Sequence, residues 1–385
     1  MIAPAPRIAS VEEYYFSKKL KEIEKLNSAG KEVINLGIGS PDLKPHESVI
    51  AALNNSALTN NAHGYQSYRG TAKLREAYKN WYNDYFSVSL DPDKEILPLL
   101  GSKEGIMHIS MSYLSPGDEV LIPNPGYPAY SATAKLAGAT VQYYALSDEH
   151  NWQPDLIALS KKDLSKVKIM WVNYPHMPTG AVAEKDLFQR LSAFGKTHNI
   201  LICNDNPYSF ILNDKPTSIL SSGLSDYVLE LNSLSKSHNM AGWRVGMIAA
   251  TQTHIDNLIK FKSNMDSGMF KPVQEAAVEA LNLDSNWFNQ INTVYSARKK
   301  VALAILKTLK CVFDENQAGL FVWGRIPKQI PSVEKFTDSI LYEAAVFLVP
   351  GTVFGSRGER YIRISLCADI SLLKKALSRV KSNQP

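Results

Sequence analysis

Cysteine is scarce in this sequence: there are three in 385 residues, Cys203, Cys311 and Cys367. They lie far apart and make no CxxC pair, which excludes a disulfide framework and a cysteine-based zinc site. Each sits in an apolar stretch ("ILICND", "TLKCVF", "RISLCA"), where a cysteine packs as a small hydrophobe. An excess of charge of one sign is also missing, since 42 basic and 37 acidic residues leave a net charge of +5. The densest basic stretch, "KKDLSKVK", is short and reads as a solvated face, which argues against a nucleic-acid partner. No apolar run approaches the roughly 20 residues of a membrane span. The start "MIAPAPRIAS" has no apolar core of signal-peptide length. A cytoplasmic setting is therefore expected, with no membrane partner.

The chain does have enough apolar residues, 45% against 21% charged, to bury a sizeable core. Between residues 100 and 250 helical and strand-like segments alternate. "SKEGIMHISMSYL" and "EKDLFQRLSAFGKTHN" read as helices, and "EVLIP", "TVQYYAL", "VKIMWVN", "ILICN", "YVLELN" and "VGMIAA" as strands. The near-continuous apolar runs are those of parallel strands covered on both faces, so the fold class is α/β. Ligands in such sheets sit beyond the carboxyl ends of the strands. Asn173, Asp205, Ser233 and Lys236 each follow an apolar run and fall at those ends. The C-terminal third changes texture. A long helix over "NWFNQINTVYSARKKVALAILKTL" leads to the shorter strands "LFVWGRI", "AVFLVP" and "RYIRISL", a smaller α+β domain completed by the N-terminal segment. The expected division is 1–46, 47–283 and 284–385.

Two nucleotide motifs are excluded. "LGIGSPD" carries Pro41 and Asp42 where a Rossmann loop opens a helix, and "GSKEG" lacks the first glycine and spacing of a Walker loop. "GSKEG" does fit a tight turn into a helix N-terminus, where backbone N–H groups favour an anion.

"SLSKSHNMAGWRVG", "NYPHMPTGAV", "NDNPYSF" and "YIRISL", taken with "NLGIGSPD", "YQSYRGTAKLREA", "GSKEG" and "NPGYPAY", resemble the class I/II aminotransferases in order and spacing. Those enzymes use pyridoxal 5′-phosphate on the fold type I scaffold, a large domain with a mostly parallel seven-stranded sheet between helices plus a smaller domain. The resemblance implies that Lys236 holds the cofactor as a Schiff base and carries protons, with Asp205 on the ring nitrogen and Tyr208 on the ring's phenolic oxygen. It further implies that Ser102, Lys103, Ser233 and Arg244 hold the phosphate and that Tyr127 stacks on the ring. Tyr65 reaches the phosphate of a neighbouring subunit, so a homodimer is implied. The resemblance also implies that Arg363 and Gly39 bind the substrate carboxylate. No metal is implied. The substrates it implies are an L-amino acid and a 2-oxo acid, their side chains unspecified.

One position departs from the family pattern. Met177 stands where an asparagine usually donates to the ring oxygen, and a thioether cannot donate. Either Tyr208 alone serves that oxygen or His176 substitutes. Lys271 in "SGMFKPVQ" falls in a segment that approaches the neighbouring site in this family. A carbon–sulfur lyase, a decarboxylase or a cyclopropane-forming synthase on the same scaffold is the alternative chemistry, and a catalytically silent regulator is the alternative class.

Overall fold

Apolar runs of four to six residues form the middle layer of the molecule. The computed structural model describes residues 2–13 and 15–383. Strand β1 (Ile34–Asn35) lies in the N-terminal segment. The strands β2 (Ile96–Leu99), β3 (Glu119–Asn124), β4 (Thr140–Ala145), β5 (Val167–Val172), β6 (Leu201–Asp205), β7 (Val228–Ser233) and β8 (Gly246–Ala249) follow. These seven form one sheet in the order β2-β8-β7-β6-β5-β3-β4. The pairs from β7 across to β4 are parallel, and β8 runs antiparallel to both β7 and β2. The sheet is thus the mainly parallel, seven-stranded one expected. "ILPL" of β2 was not read as a strand from the sequence.

Side-chain alternation sends each strand's residues to two cores. Ile169 and Trp171 of β5 pack with Ile106, Ile109 and Tyr130 on one face, and Met170 and Val172 pack with Trp81, Leu187 and Leu191 on the other. The helices Ser102–Tyr113, Pro128–Leu136 and Gln252–Lys262 cover the first face. Ala72–Phe86, Leu187–His198 and Lys271–Leu281 cover the second. Trp171 stacks on Tyr130 with ring centroids 4.8 Å apart. Burying a large apolar side chain in this way contributes roughly 1.5–3 kcal/mol, so Trp171→Ala would open a costly cavity under the site.

The C-terminal strands are β9 (Phe321–Arg325), β10 (Val346–Phe347), β11 (Val349–Pro350) and β12 (Tyr361–Ser365). β11, β12 and β9 make an antiparallel sheet with β12 in the middle, and β10 pairs in parallel with β1. The run "AVFLVP" is therefore two strands rather than one, because its first half pairs with β1 and its second with β12. The helix Ser285–Thr308 is started by the Asp284 carboxylate, which accepts the Asn286 N–H. No helix among the described residues is long and apolar enough to cross a membrane.

Candidate active site

The parallel strands β3, β5, β6 and β7 end on one edge of the sheet, and the polar residues found there in the sequence cluster at it. β6 closes on Asp205 and β7 on Ser233. A single helical turn, Leu234–Ser237, follows β7 at once. Lys236 thus sits on a helical turn, where the sequence alone reads as a strand-end loop. Ser233 caps that turn, its Oγ accepting the Ser235 N–H at 3.1 Å.

A cavity of about 350 Å³ opens over these strand ends. Lys236, Asp205, Tyr208, Tyr127, Ser233, Arg244, Ser102, Lys103, Gly39 and Arg363 all line it. Tyr65 does not: it is 94% exposed, on the surface of the chain. Lys271 also lies away from the cavity, with Nζ 3.1 Å from Asn61 Oδ1.

The electrostatics suit an amine and an acid held in unusual states. Lys236 Nζ donates to Gly39 O at 2.5 Å. Burial pushes its pKa below the usual lysine range, and the cations Arg363 and Arg244 push the same way, while Cys367 and Asp205 oppose. Burial also raises the Asp205 carboxyl to about 6, against a hydrogen bond from Tyr130 and with a contribution from Glu230. The Tyr130 hydroxyl donates to Asp205 Oδ2 at 2.9 Å, and Asp205 Oδ1 is buried with no partner among the described residues. Tyr208 is buried, which raises its phenol well above the usual value.

One end of the cavity is built on a glycine. Gly101 has φ +83°, and a Cβ there would run into the Arg244 guanidinium. The absence of a side chain lets that guanidinium lie directly over the start of the helix Ser102–Tyr113, whose first N–H groups have no acceptor within the helix. Glu104 Oε2 accepts the Leu100 N–H at 2.6 Å and fixes the turn.

At the other end, Arg363 stands on the central strand β12 inside an aromatic box. Its guanidinium carbon is 3.9 Å from the Phe321 ring centroid, 4.5 Å from Phe354 and 5.5 Å from Phe16. Nη2 donates to Gly37 O at 2.6 Å, and Nη1 lies 3.4 Å from Met177 Sδ. Met177 therefore lines the cavity from the Arg363 side. His176 is not among the lining residues: it is buried, with Nδ1 2.8 Å from Thr179 Oγ1, and burial holds its pKa down at about 3.

Several lining residues carry no role legible in the sequence. Tyr130, the partner of Asp205, lies one helical turn beyond Tyr127 in "NPGYPAY", and that i, i+3 spacing was the available signal. Asn173 lines the cavity with its amide already engaged, Oδ1 accepting the Met177 N–H at 2.8 Å and Nδ2 donating to Asp205 O at 2.5 Å. No motif in the sequence marks Phe16, Phe321 or Phe354 as site residues.

The orphaned oxygen of Asp205 and the cradle at Gly101 test whether a cofactor fits. Pyridoxal 5′-phosphate presents a ring N–H to such an oxygen and a phosphate to such a cradle, so the residues fit it. Fold and cavity together define a fold type I pyridoxal-phosphate enzyme. A model of the family "aminotransferase class I and II" matches residues 31–380. The chain is 40% identical to LL-diaminopimelate aminotransferase of Dehalococcoides mccartyi over 377 residues, 97% of either chain. It is 39% identical to the enzyme of that name from Natranaerobius thermophilus, with 98% of both chains covered. Among solved structures, apo BacF from Bacillus subtilis has a TM-score of 0.94 at 32% identity, covering 100% of this chain and 99% of that one. An aminotransferase from Staphylococcus aureus has a TM-score of 0.89 at 28% identity, with 98% of both covered. The chain belongs to the class I and II aminotransferases and is a pyridoxal-phosphate-dependent enzyme that transfers amino groups. Transfer thereby displaces the lyase, decarboxylase and synthase alternatives, and a silent regulator as well.

Proposed function

We propose that this cavity transfers the amino group of an L-amino acid to a 2-oxo acid, with Lys236 as the cofactor's tether and the proton carrier. The observation that carries the reading is the convergence of Lys236, the unpartnered Oδ1 of Asp205 and Arg363 on one cavity. When bound, the cofactor supplies a protonated aromatic ring that takes up the electron pair released at the substrate Cα. Asp205 keeps that ring nitrogen protonated, because a carboxylate beside it favours the charged form. Lys236, its pKa lowered by burial, holds a larger neutral fraction than a surface lysine and so both attacks a carbonyl and accepts a proton. Tyr208 and Tyr127 line the cavity, where Tyr208 would hold the ring oxygen and Tyr127 the ring. Ser102, Lys103, Ser233 and Arg244 hold the phosphate. Arg363 pairs with the α-carboxylate in two-pronged fashion, assisted by the Gly39 N–H.

The reading includes a homodimer in which the partner subunit's Tyr65 completes the phosphate site. Exposed Tyr65, Tyr68 and Phe270 support a covered face there. It also includes a small domain made of residues 284–385 and part of 1–46, the rest of 1–46 being an N-terminal arm, supported by the β1–β10 pairing, and a cytoplasmic setting, consistent with three free thiols. Since the curated relatives named above are LL-diaminopimelate aminotransferases, LL-diaminopimelate is the first amino donor to test.

Purified protein is incubated with LL-diaminopimelate and a panel of other L-amino acids against a panel of 2-oxo acids, and new amino acid is measured. Transfer from one donor well above the others is the expected result. Absence of transfer from every donor, with cofactor bound, would overturn the reading.

A further inference from the structure

The segment 36–42 leaves β1 without regular secondary structure and runs along the edge of the cavity. Four of its consecutive carbonyls are taken by groups from elsewhere in the chain. Leu36 O accepts the Ser365 N–H at 2.8 Å, Gly37 O accepts Arg363 Nη2 at 2.6 Å, Ile38 O accepts Ser365 Oγ at 2.7 Å, and Gly39 O accepts Lys236 Nζ at 2.5 Å. The Gly39 Cα itself rests on the Phe321 ring, where a Cβ would clash, and that ring lies against the Arg363 guanidinium. The depth of this segment thus enters the position of both cations of the site.

The far end of the segment is fixed by a fork. Arg298, on the helix Ser285–Thr308 and 2% exposed, donates from Nη1 to Asp42 Oδ1 at 2.6 Å and from Nη2 to Asp42 Oδ2 at 2.8 Å. Nη1 also reaches Leu366 O at 3.1 Å, just past β12. Neither Arg298 nor Asp42 lines the cavity. Arg298 is buried but the Asp42 side chain is 33% exposed, and an ion pair partly open to water adds little stability. What a two-pronged pair supplies is geometry, because it fixes both distance and plane.

We propose that Arg298, acting through Asp42, is a positioning residue for amino transfer. It holds the carbonyls of residues 37–39 at the depth that spaces the Lys236 amine and the Arg363 guanidinium for one substrate. The proposal rests on the roles given above to Lys236 and Arg363. The phosphate cradle of Ser102, Ser233 and Arg244 makes no hydrogen bond to the carbonyls of residues 37–39, so phosphate binding is expected to be unaffected.

The test measures binding of succinate, a carboxylate that cannot react, to holoenzyme by calorimetry. Binding of inorganic phosphate to apoprotein serves as the control. Asp42→Asn is expected to weaken succinate about tenfold, since misplacement by a fraction of an ångström in a preorganised site is felt at that scale, and to leave phosphate affinity unchanged. KM for the best donor rises with it. Arg298→Lys keeps the buried charge but loses the fork, and it should give the same pattern should Asp42→Asn not fold. Asp42→Asn combined with Arg363→Lys should weaken succinate by less than the product of the two single effects, as expected when one residue acts through the other. Lowered thermal stability with succinate affinity within twofold of wild type in both Asp42→Asn and Arg298→Lys, while Arg363→Lys does weaken it, overturns the positioning role alone. Wild-type binding in Arg363→Lys removes the carboxylate site from Arg363, and the proposal with it.

Discussion

Lys236 and Arg363 are fastened to the same short length of backbone: Nζ of Lys236 to Gly39 O at 2.5 Å and Nη2 of Arg363 to Gly37 O at 2.6 Å. The two residues lie 127 positions apart in the chain, and the extended run after β1 brings them to one cavity. One cation is a titratable amine and the other a permanently charged fork. The division suits a site that must bind a carboxylate at one point and move a proton at another.

Lys236→Ala should lose the absorbance of the lysine-bound cofactor and nearly all amino transfer. A spectrum and a turnover assay on the purified variant check both. Substantial remaining turnover would move the tether to another lysine.

Arg363→Lys should keep the cofactor and lose amino-acid use, because an ammonium cannot reproduce a two-pronged carboxylate pair. Loss of one charge-assisted hydrogen bond is worth about 1.5–3 kcal/mol, roughly 10- to 100-fold in kcat/KM. An unchanged kcat/KM for the best donor counts against the assignment.

The buried Asp205 carboxyl makes a prediction for apoprotein stability. Its folded pKa, about 6, lies above the ordinary carboxyl value, so the folded state binds the proton more tightly than the unfolded chain. The stabilisation from that proton is complete below the unfolded pKa and is lost as pH rises through 6. Asp205→Asn apoprotein should therefore be more stable than wild type above pH 6, by on the order of 3 kcal/mol, and the gap should shrink toward pH 4. Denaturant unfolding at pH 4, 5, 6 and 7 measures it. A gap independent of pH means that the carboxyl is not held neutral by burial.

Tyr65 is tested by mixing. Tyr65→Phe should impair the neighbour's phosphate site and Lys236→Ala its own. A hybrid of the two therefore keeps one intact site, and activity should return after subunit exchange. Hybrids proven by mass that stay inactive would place Tyr65 outside any shared site.

Met177→Asn should lower the pH at which the bound cofactor's absorbance titrates. An amide donor stabilises the anionic ring oxygen, as any hydrogen bond to a charged form favours that form. His176→Ala should leave the titration in place, because the His176 ring is buried on Thr179 and does not line the cavity. A titration unmoved by Met177→Asn means that this departure from the family pattern has no electronic consequence.

The sequence by itself determined the strands β3 to β8 of the large sheet and the ends of β5, β6 and β7. Apolar runs such as "VKIMWV" state their own burial on both faces, and a polar residue after such a run states where the strand stops, so Asp205, Ser233 and Lys236 could be placed at one edge. Motif order supplied the roles proposed for Lys236, Asp205 and Arg363. What the sequence could not state are partnerships closed across long separations. Tyr130 on Asp205 spans 75 residues, Arg298 on Asp42 spans 256, and Ser365 on Ile38 spans 327. No local periodicity encodes such pairs, since either member alone has the pattern of an ordinary core or surface residue. The splitting of "AVFLVP" between two sheets and the aromatic box around Arg363 were decided the same way, by which elements the tertiary fold laid side by side.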